Sequence, residues 1–123
     1  EKTSDEMRYL FRLNVADQRG SGNKADVTGY RVGGKTGTAN KVVNGRYSDT
    51  KKFNAFLSAF PMDNPRYVVL VVIDEPQPED GQYYATAGMN AAPTVGNIIR
   101  RSATLLGVRP EFGEEGKSLL VSY

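Results

Sequence analysis

The chain has 123 residues, 39% of them hydrophobic, which suits one globular domain burying about two thirds of its unfolded surface. It carries no cysteine and no histidine, which excludes disulfides, a thiolate nucleophile, thiolate or imidazole metal ligands and an imidazole general base. Net charge is only +2, but bases exceed acids by five through residue 52 and acids exceed bases by three beyond it, a weak pointer to an anionic ligand on the first half.

With no basic helix and no aromatic-basic repeat, nucleic acid is not expected as a partner. No apolar run approaches the roughly 20 residues that span a bilayer, and no signal peptide is visible. Glu1 in first place reads as the start of a piece of something longer.

In chain order, Thr3 with Glu6 forms a capping-box pattern, and Met7, Leu10 and Phe11 recur at helical spacing, predicting a helix over 4–15. Asp17 to Thr28 reads as a loop leading into a strand near 30–40. Asn44-Gly45 is a two-residue hairpin signal. Strands follow near 52–60 and 67–74, both patterned as if covered on two faces and separated by the turn Pro61 to Pro65. Three strands joined by short turns predict an antiparallel sheet and an α+β domain with helices flanking it. Asp74 to Met89 is a polar connection. Pro93 then opens a helix over 93–106 with a stripe of Val95, Ile98, Ile99, Ala103 and Leu106, ended by Gly107. The tail over 110–123 is acidic and closes on Leu119-Leu120-Val121, a candidate short strand.

The chemistry concentrates in Lys35-Thr36-Gly37-Thr38-Ala39. On a strand, alternation sends Lys35, Gly37 and Ala39 to one face and Thr36 and Thr38 to the other, so an ammonium, two hydroxyls and a position without a side chain lie along one edge. Such an edge suits an extended anionic substrate. Gly29 to Thr36 also spells the phosphate-loop pattern G-x-x-x-x-G-K-T. That mechanism needs a buried strand before the loop and a helix after it, whereas the flanks here are a polar loop and the turn-forming Asn44-Gly45.

Gly29-Tyr30-Arg31 before the Lys35 motif, Pro65-Arg66-Tyr67 opening an apolar strand that ends at Asp74-Glu75-Pro76, and Ala91-Ala92-Pro93 opening a helix recur together in one family. From about Met7 to Pro110 the chain resembles the C-terminal part of the transpeptidase domain of class B penicillin-binding proteins, nearest the division-type branch. One departure is Ala85-Thr86 after Gln82-Tyr83-Tyr84, where the family pattern has glycines.

The resemblance implies a penicillin-binding-protein/β-lactamase-like fold, with 1–123 the C-terminal fragment of one domain. It implies acyl transfer by a serine that attacks the penultimate D-alanine carbonyl of a peptidoglycan stem peptide, and β-lactams as mimics of that donor. By resemblance, Lys35 lines the cleft, attracts the substrate carboxylate and supports the proton relay. Thr36 and Thr38 bind the carboxylate, the Thr38 N–H donates to the oxyanion, and Gly37 keeps the strand open.

The family's Ser-x-x-Lys and Ser-x-Asn motifs precede this strand. Ser21-Gly22-Asn23-Lys24 and Ser48-Asp49-Thr50-Lys51 imitate them, but neither begins an apolar helix, so the nucleophile is expected outside this chain and the chain alone is expected to be inactive. The resemblance further implies no cofactor, a cell-envelope location on the periplasmic side of the inner membrane, an N-terminal membrane helix outside this chain, and division-machinery partners. A sheet face left open by the absent N-terminal part of the domain would need that part, a swapped dimer or another cover. Two other classes stay open: a nucleotide-binding module at Gly29 to Thr36, and a noncatalytic scaffold or β-lactam-sensor domain.

Overall fold

A computed structural model of the chain describes residues 1–112, and the expected strand at Leu119-Leu120-Val121 lies outside them. Helix α1 spans Lys2–Ala16, strands β1, β2 and β3 span Gly33–Val43, Arg46–Phe60 and Tyr67–Asp74, and helix α2 spans Ala91–Ser102. The strands form one antiparallel sheet in the order β1-β2-β3, so β1 is an edge. The α+β architecture read from the sequence is the one observed.

Several boundaries differ from expectation, each for a local reason. Helix α1 begins at Lys2 with Glu1 as its cap residue and no side-chain cap bond, so the Thr3–Glu6 box does not form. Thr3 is already helical, because the Asp5 N–H reaches the Glu1 carbonyl at 3.0 Å and closes the first turn one step earlier. Strand β1 starts at Gly33 and not near residue 30, since Gly29 and Arg31 hold φ of +92° and +44° and turn the chain there. Buried Arg31 fixes that turn by pairing with Asp63 at 2.8 Å and with Glu111.

Strand β2 begins at Arg46, not near 52, because the hairpin continues past the sheet: Val43 pairs with Arg46 and Val42 with Tyr47 around Asn44 and Gly45, both at positive φ. Its polar Ser48-Asp49-Thr50-Lys51 stretch needs no apolar face, since a two-stranded arm in water buries none. Helix α2 starts at Ala91, capped by Asn90, whose Oδ1 accepts the Ala91 N–H at 2.6 Å. Pro93 therefore sits in the first turn, where its missing N–H leaves no bond unmade. The helix ends at Ser102, and a turn carries the chain to Gly107 at φ +76°.

The core lies on one side of the sheet only. Phe56 and Phe60 of β2 are fully buried against Ala92, Val95 and Ile99 of α2 and Ala103 just past its end, together with Ala25, Val27 and Val32, while Tyr67, Val69, Val71 and Ile73 of β3 pack against its margin. Ile98 and Leu106, expected in the helix stripe, remain 39% exposed. The opposite face carries Leu57, Val68, Leu70 and Val72, the last three at 69%, 58% and 45% exposure. The expectation that β2 and β3 are covered on both faces is thus corrected: within the described residues one face is packed and the other is bare. The alternation along β3 is strict, intermediate then exposed at each step.

Candidate active site

The Lys35 motif lies in the first half of β1, where the strand is both a sheet edge and the floor of a cleft. Register pairs Thr36 with Phe56 and Thr38 with Asn54, so both threonines face the packed side of the sheet. Two segments approach them there. The Gly20 to Asn23 loop brings Ser21 Oγ to 2.9 Å from Thr36 Oγ1, and the turn after Ala85 brings the Ala87 N–H to Thr38 Oγ1 at 3.0 Å. Between them opens a cleft of about 420 Å³ whose lining includes Ser21, Lys24, Thr36, Thr38, Thr86 and Gly88.

Lys35 is not among the lining residues. Its side chain leaves the strand on the bare face, in register with Leu57, and its ammonium returns around the edge to donate to the Thr36 carbonyl at 2.6 Å. The structure therefore brings Thr36 and Thr38 together on the cleft, with Lys35 at its lip on the outer edge.

The outer edge of β1 is partly closed and partly free. Asn14 of α1 donates to the Gly34 carbonyl at 3.0 Å, and Arg12 to the Val32 carbonyl at 2.8 Å. Those two carbonyls, and Thr36's, face away from β2. In an antiparallel edge the N–H and C=O of one residue point the same way and alternate along the strand, so the N–H and C=O of Thr38 also face outward. Next to it, Gly37 is exposed, and a Cβ built there would meet only the Ala55 carbonyl, at 4.0 Å. The neighbouring glycines differ: a Cβ at Gly33 would strike Met62 at 2.5 Å and one at Gly34 the Leu57 carbonyl at 2.6 Å. Internal packing demands glycine at 33 and 34 but not at 37.

Asn54 was not visible in the sequence as a site residue. It is fully buried on β2 and donates to the Ala85 carbonyl at 2.6 Å and to Asn90 Oδ1 at 3.2 Å. It thereby holds both ends of the segment that closes over Thr38. An asparagine among Phe53, Ala55, Phe56 and Leu57 in a strand is the one available signal, because a buried amide without partners would be costly.

The two local serine-lysine imitations can now be placed. Ser21 is followed by a single 3-10 turn, Asn23–Ala25, and among the described residues its hydroxyl bonds to Asn14 Oδ1 and Thr36 Oγ1, neither of them a base that would activate it. Ser48 sits in the hairpin arm, where its Oγ accepts the Thr50 and Lys51 N–H groups. The phosphate-loop reading of Gly29 to Thr36 fails on geometry, since Gly33 to Thr36 are part of an unbroken strand and no helix follows.

The model of the penicillin-binding protein transpeptidase domain matches residues 1–100 of the chain. The chain belongs to this family. It is 44% identical over 110 residues to the stage V sporulation protein D of Bacillus subtilis, covering 89% of the chain and 16% of that protein. It is 43% identical over 117 residues to a probable peptidoglycan D,D-transpeptidase FtsI of Caulobacter vibrioides, covering 89% of the chain and 20% of that protein. Among solved structures, the transpeptidase domain of Burkholderia pseudomallei penicillin-binding protein 3 superposes with a TM-score of 0.76 at 36% identity, covering 91% of the chain and 32% of that domain. Penicillin-binding protein 3 of Mycobacterium tuberculosis in complex with aztreonam gives 0.73 at 30% identity, covering 89% of the chain and 25% of that protein. These relatives place the chain in class B, on the division-type branch. The chain spans only 16% and 20% of the length of the Bacillus and Caulobacter relatives.

Proposed function

We propose that this chain supplies the substrate-binding strand of a peptidoglycan D,D-transpeptidase whose nucleophilic serine lies in a preceding part of the same domain. The observation that carries the reading is the arrangement on β1: two threonine hydroxyls on one cleft, with the outward N–H of Thr38 beside a glycine that internal packing does not require. The relatives named as D,D-transpeptidases support it.

In the proposed reaction the serine oxygen attacks the penultimate D-alanine carbonyl and loses its proton to a base. The carbonyl oxygen becomes an oxyanion, which the Thr38 N–H steadies; loss of one such donor typically costs about 3 kcal/mol of transition-state stabilisation. The C–N bond then breaks, the terminal D-alanine leaves as a protonated amine, and the amine of a neighbouring stem attacks the acyl-enzyme. Thr36 and Thr38 donate to the terminal carboxylate of the donor, and the Lys35 ammonium, held beside the Thr36 carbonyl, supplies the attracting charge. β-Lactams fit the same strand as donor mimics. No step calls on a cofactor.

The parent protein is proposed to work in the cell envelope, on the periplasmic side of the inner membrane, beside division-machinery proteins. The anchor is proposed to be a membrane helix in a segment outside this chain; among the described residues no helix is long and apolar enough to cross a membrane. The bare sheet face is proposed to receive the rest of the transpeptidase domain, or a second copy in a swapped dimer when the chain is alone.

The test is intact mass after incubation with a penicillin, on this chain and on its parent. The expected result is an adduct on the parent only. An adduct on the isolated chain would mean that Ser21 or Ser48 is the nucleophile, and none on either would overturn the transpeptidase reading.

A further inference from the structure

We propose that Ser21 is a positioning residue that turns the Thr36 hydroxyl into a donor for a carboxylate in the cleft. The proposal rests on the substrate-binding reading of β1 given above, and it assigns a role to a residue that the acyl-transfer scheme does not use.

Three hydrogen-bonding groups stand in a row from α1 to β1. Ser21 Oγ lies 2.9 Å from Thr36 Oγ1, a bond in which either oxygen can be the donor, and 3.2 Å from Asn14 Oδ1, the other acceptor within reach of the single serine proton. Asn14 Oδ1 also accepts the Ser21 N–H at 3.2 Å, while Asn14 Nδ2 is fixed on the Gly34 carbonyl. The asparagine oxygen therefore keeps a partner whichever way the serine proton points.

The loop is held tightly enough to make the row persistent. A Cβ at Gly20 would sit 1.9 Å from the Asn14 carbonyl oxygen, one at Gly22 would strike the Phe56 ring at 2.8 Å, and one at Gly88 the Ser21 carbonyl at 2.6 Å. Backbone of α1, β2's phenylalanine and the Gly88 turn thus press the loop onto the head of β1.

Two hydroxyls carry two protons, and only two orderly arrangements exist. In one, Thr36 donates to Ser21 and Ser21 to Asn14, so Thr36 offers the cleft a lone pair. In the other, Ser21 donates to Thr36 and Thr36 donates into the cleft. A carboxylate accepts and cannot donate, so it selects the second, and each donor in the row polarises the next. A neutral row gives Thr36 a choice that an isolated threonine would resolve by free rotation. Ser21 removes that freedom at the one moment an anion arrives.

The experiment is penicillin acylation of the full-length parent, resolving the pre-acylation binding constant from the limiting acylation rate, for wild type, Ser21→Ala, Ser21→Thr, Thr36→Val and the Ser21→Ala/Thr36→Val double variant. Ser21→Ala is expected to weaken binding between about threefold and tenfold, the loss of one neutral hydrogen bond, with the limiting rate within about twofold of wild type. Ser21→Thr, which keeps the hydroxyl, is expected to return binding to the wild-type value. In the Thr36→Val background, Ser21→Ala is expected to add nothing, because the serine acts only through the Thr36 hydroxyl. Wild-type binding in Ser21→Ala, or an equal penalty in both backgrounds, overturns the proposal while leaving the transpeptidase reading intact. An unreactive wild-type parent overturns the transpeptidase reading, and this one with it.

Discussion

Thr38 and Asn54 are direct partners across β1 and β2, and they grip the same segment: Thr38 accepts the Ala87 N–H, while Asn54 donates to the Ala85 carbonyl and to Asn90. The roof of the cleft is therefore attached to its floor by two neighbouring polar side chains, and the start of α2 is attached through the same pair. Thr38→Val is expected to lower stability by about 1 kcal/mol and Asn54→Leu by about 1–3 kcal/mol, since each leaves a polar partner unmet. The double variant is expected to lose less than the sum of the two, because releasing either end frees the segment the other holds. Urea unfolding of the four proteins measures this, and strict additivity would show that the two anchors act on separate elements.

Lys35→Ala in the parent protein is expected to cut penicillin acylation by at least about 100-fold, in the range for removing a charge that acts on a transition state. Its melting temperature should stay close to that of wild type, because Lys35 is exposed and, among the described residues, its ammonium bonds only to the neighbouring Thr36 carbonyl. Unchanged acylation would remove Lys35 from the proposed machinery.

Gly37→Ala is expected to leave the fold intact or slightly firmer, by up to about 1 kcal/mol, since a strand alanine loses less entropy than glycine and nothing lies within 4.0 Å except one carbonyl at that limit. Acylation should nonetheless fall at least about tenfold, because the methyl occupies the approach of a ligand lying along the edge. Gly34→Ala is the control, expected to unfold the site through its clash with Leu57 and Phe56. Equal acylation in Gly37→Ala and wild type would show that the ligand does not approach this edge.

Asp17, at the end of α1, is held at a pKa of about 2, below its ordinary 3.8, chiefly by the hydrogen bond from the Arg19 side chain and then by that from the Arg19 N–H. A depressed carboxylate pKa stabilises the folded state above the ordinary value, and the contribution fades as pH falls through the folded one. Arg19→Ala should raise the Asp17 pKa. The stability difference between wild type and this variant is expected to be constant above about pH 5 and to shrink toward pH 2, as read by pH-dependent thermal unfolding. A difference that grew on acidification would have the wrong sign.

The parts of this molecule legible in the sequence were those with a strong local code. Asn44-Gly45 marked its turn because both positions need positive φ, and the alternation of Lys35 to Ala39 placed the two threonines on one face. The bare face of β3 is not legible in the sequence because Tyr67 to Ile73 is written for burial on both sides, whatever this chain alone provides. The Ser21 contact is hidden for a different reason: fifteen positions along the chain separate it from Thr36, and a Gly-Ser-Gly loop carries no periodicity that says where it lands. Asn54 is equally hidden, because one amide in an apolar strand obeys no spacing rule.

The one-sided sheet has a consequence for anyone mapping this protein by mutation. Leu70 and Val72 are about half exposed here, so replacing them with alanine in the isolated chain would register as a small loss, and on solubility even as improvement. In a protein where another segment rests on that face, the same replacements would open cavities of the kind that destabilise by about 2–5 kcal/mol. A tolerance profile recorded on the piece would then rank these two positions in the reverse of their order in the whole, and the size of the reversal at each residue would trace the footprint of whatever lies on top.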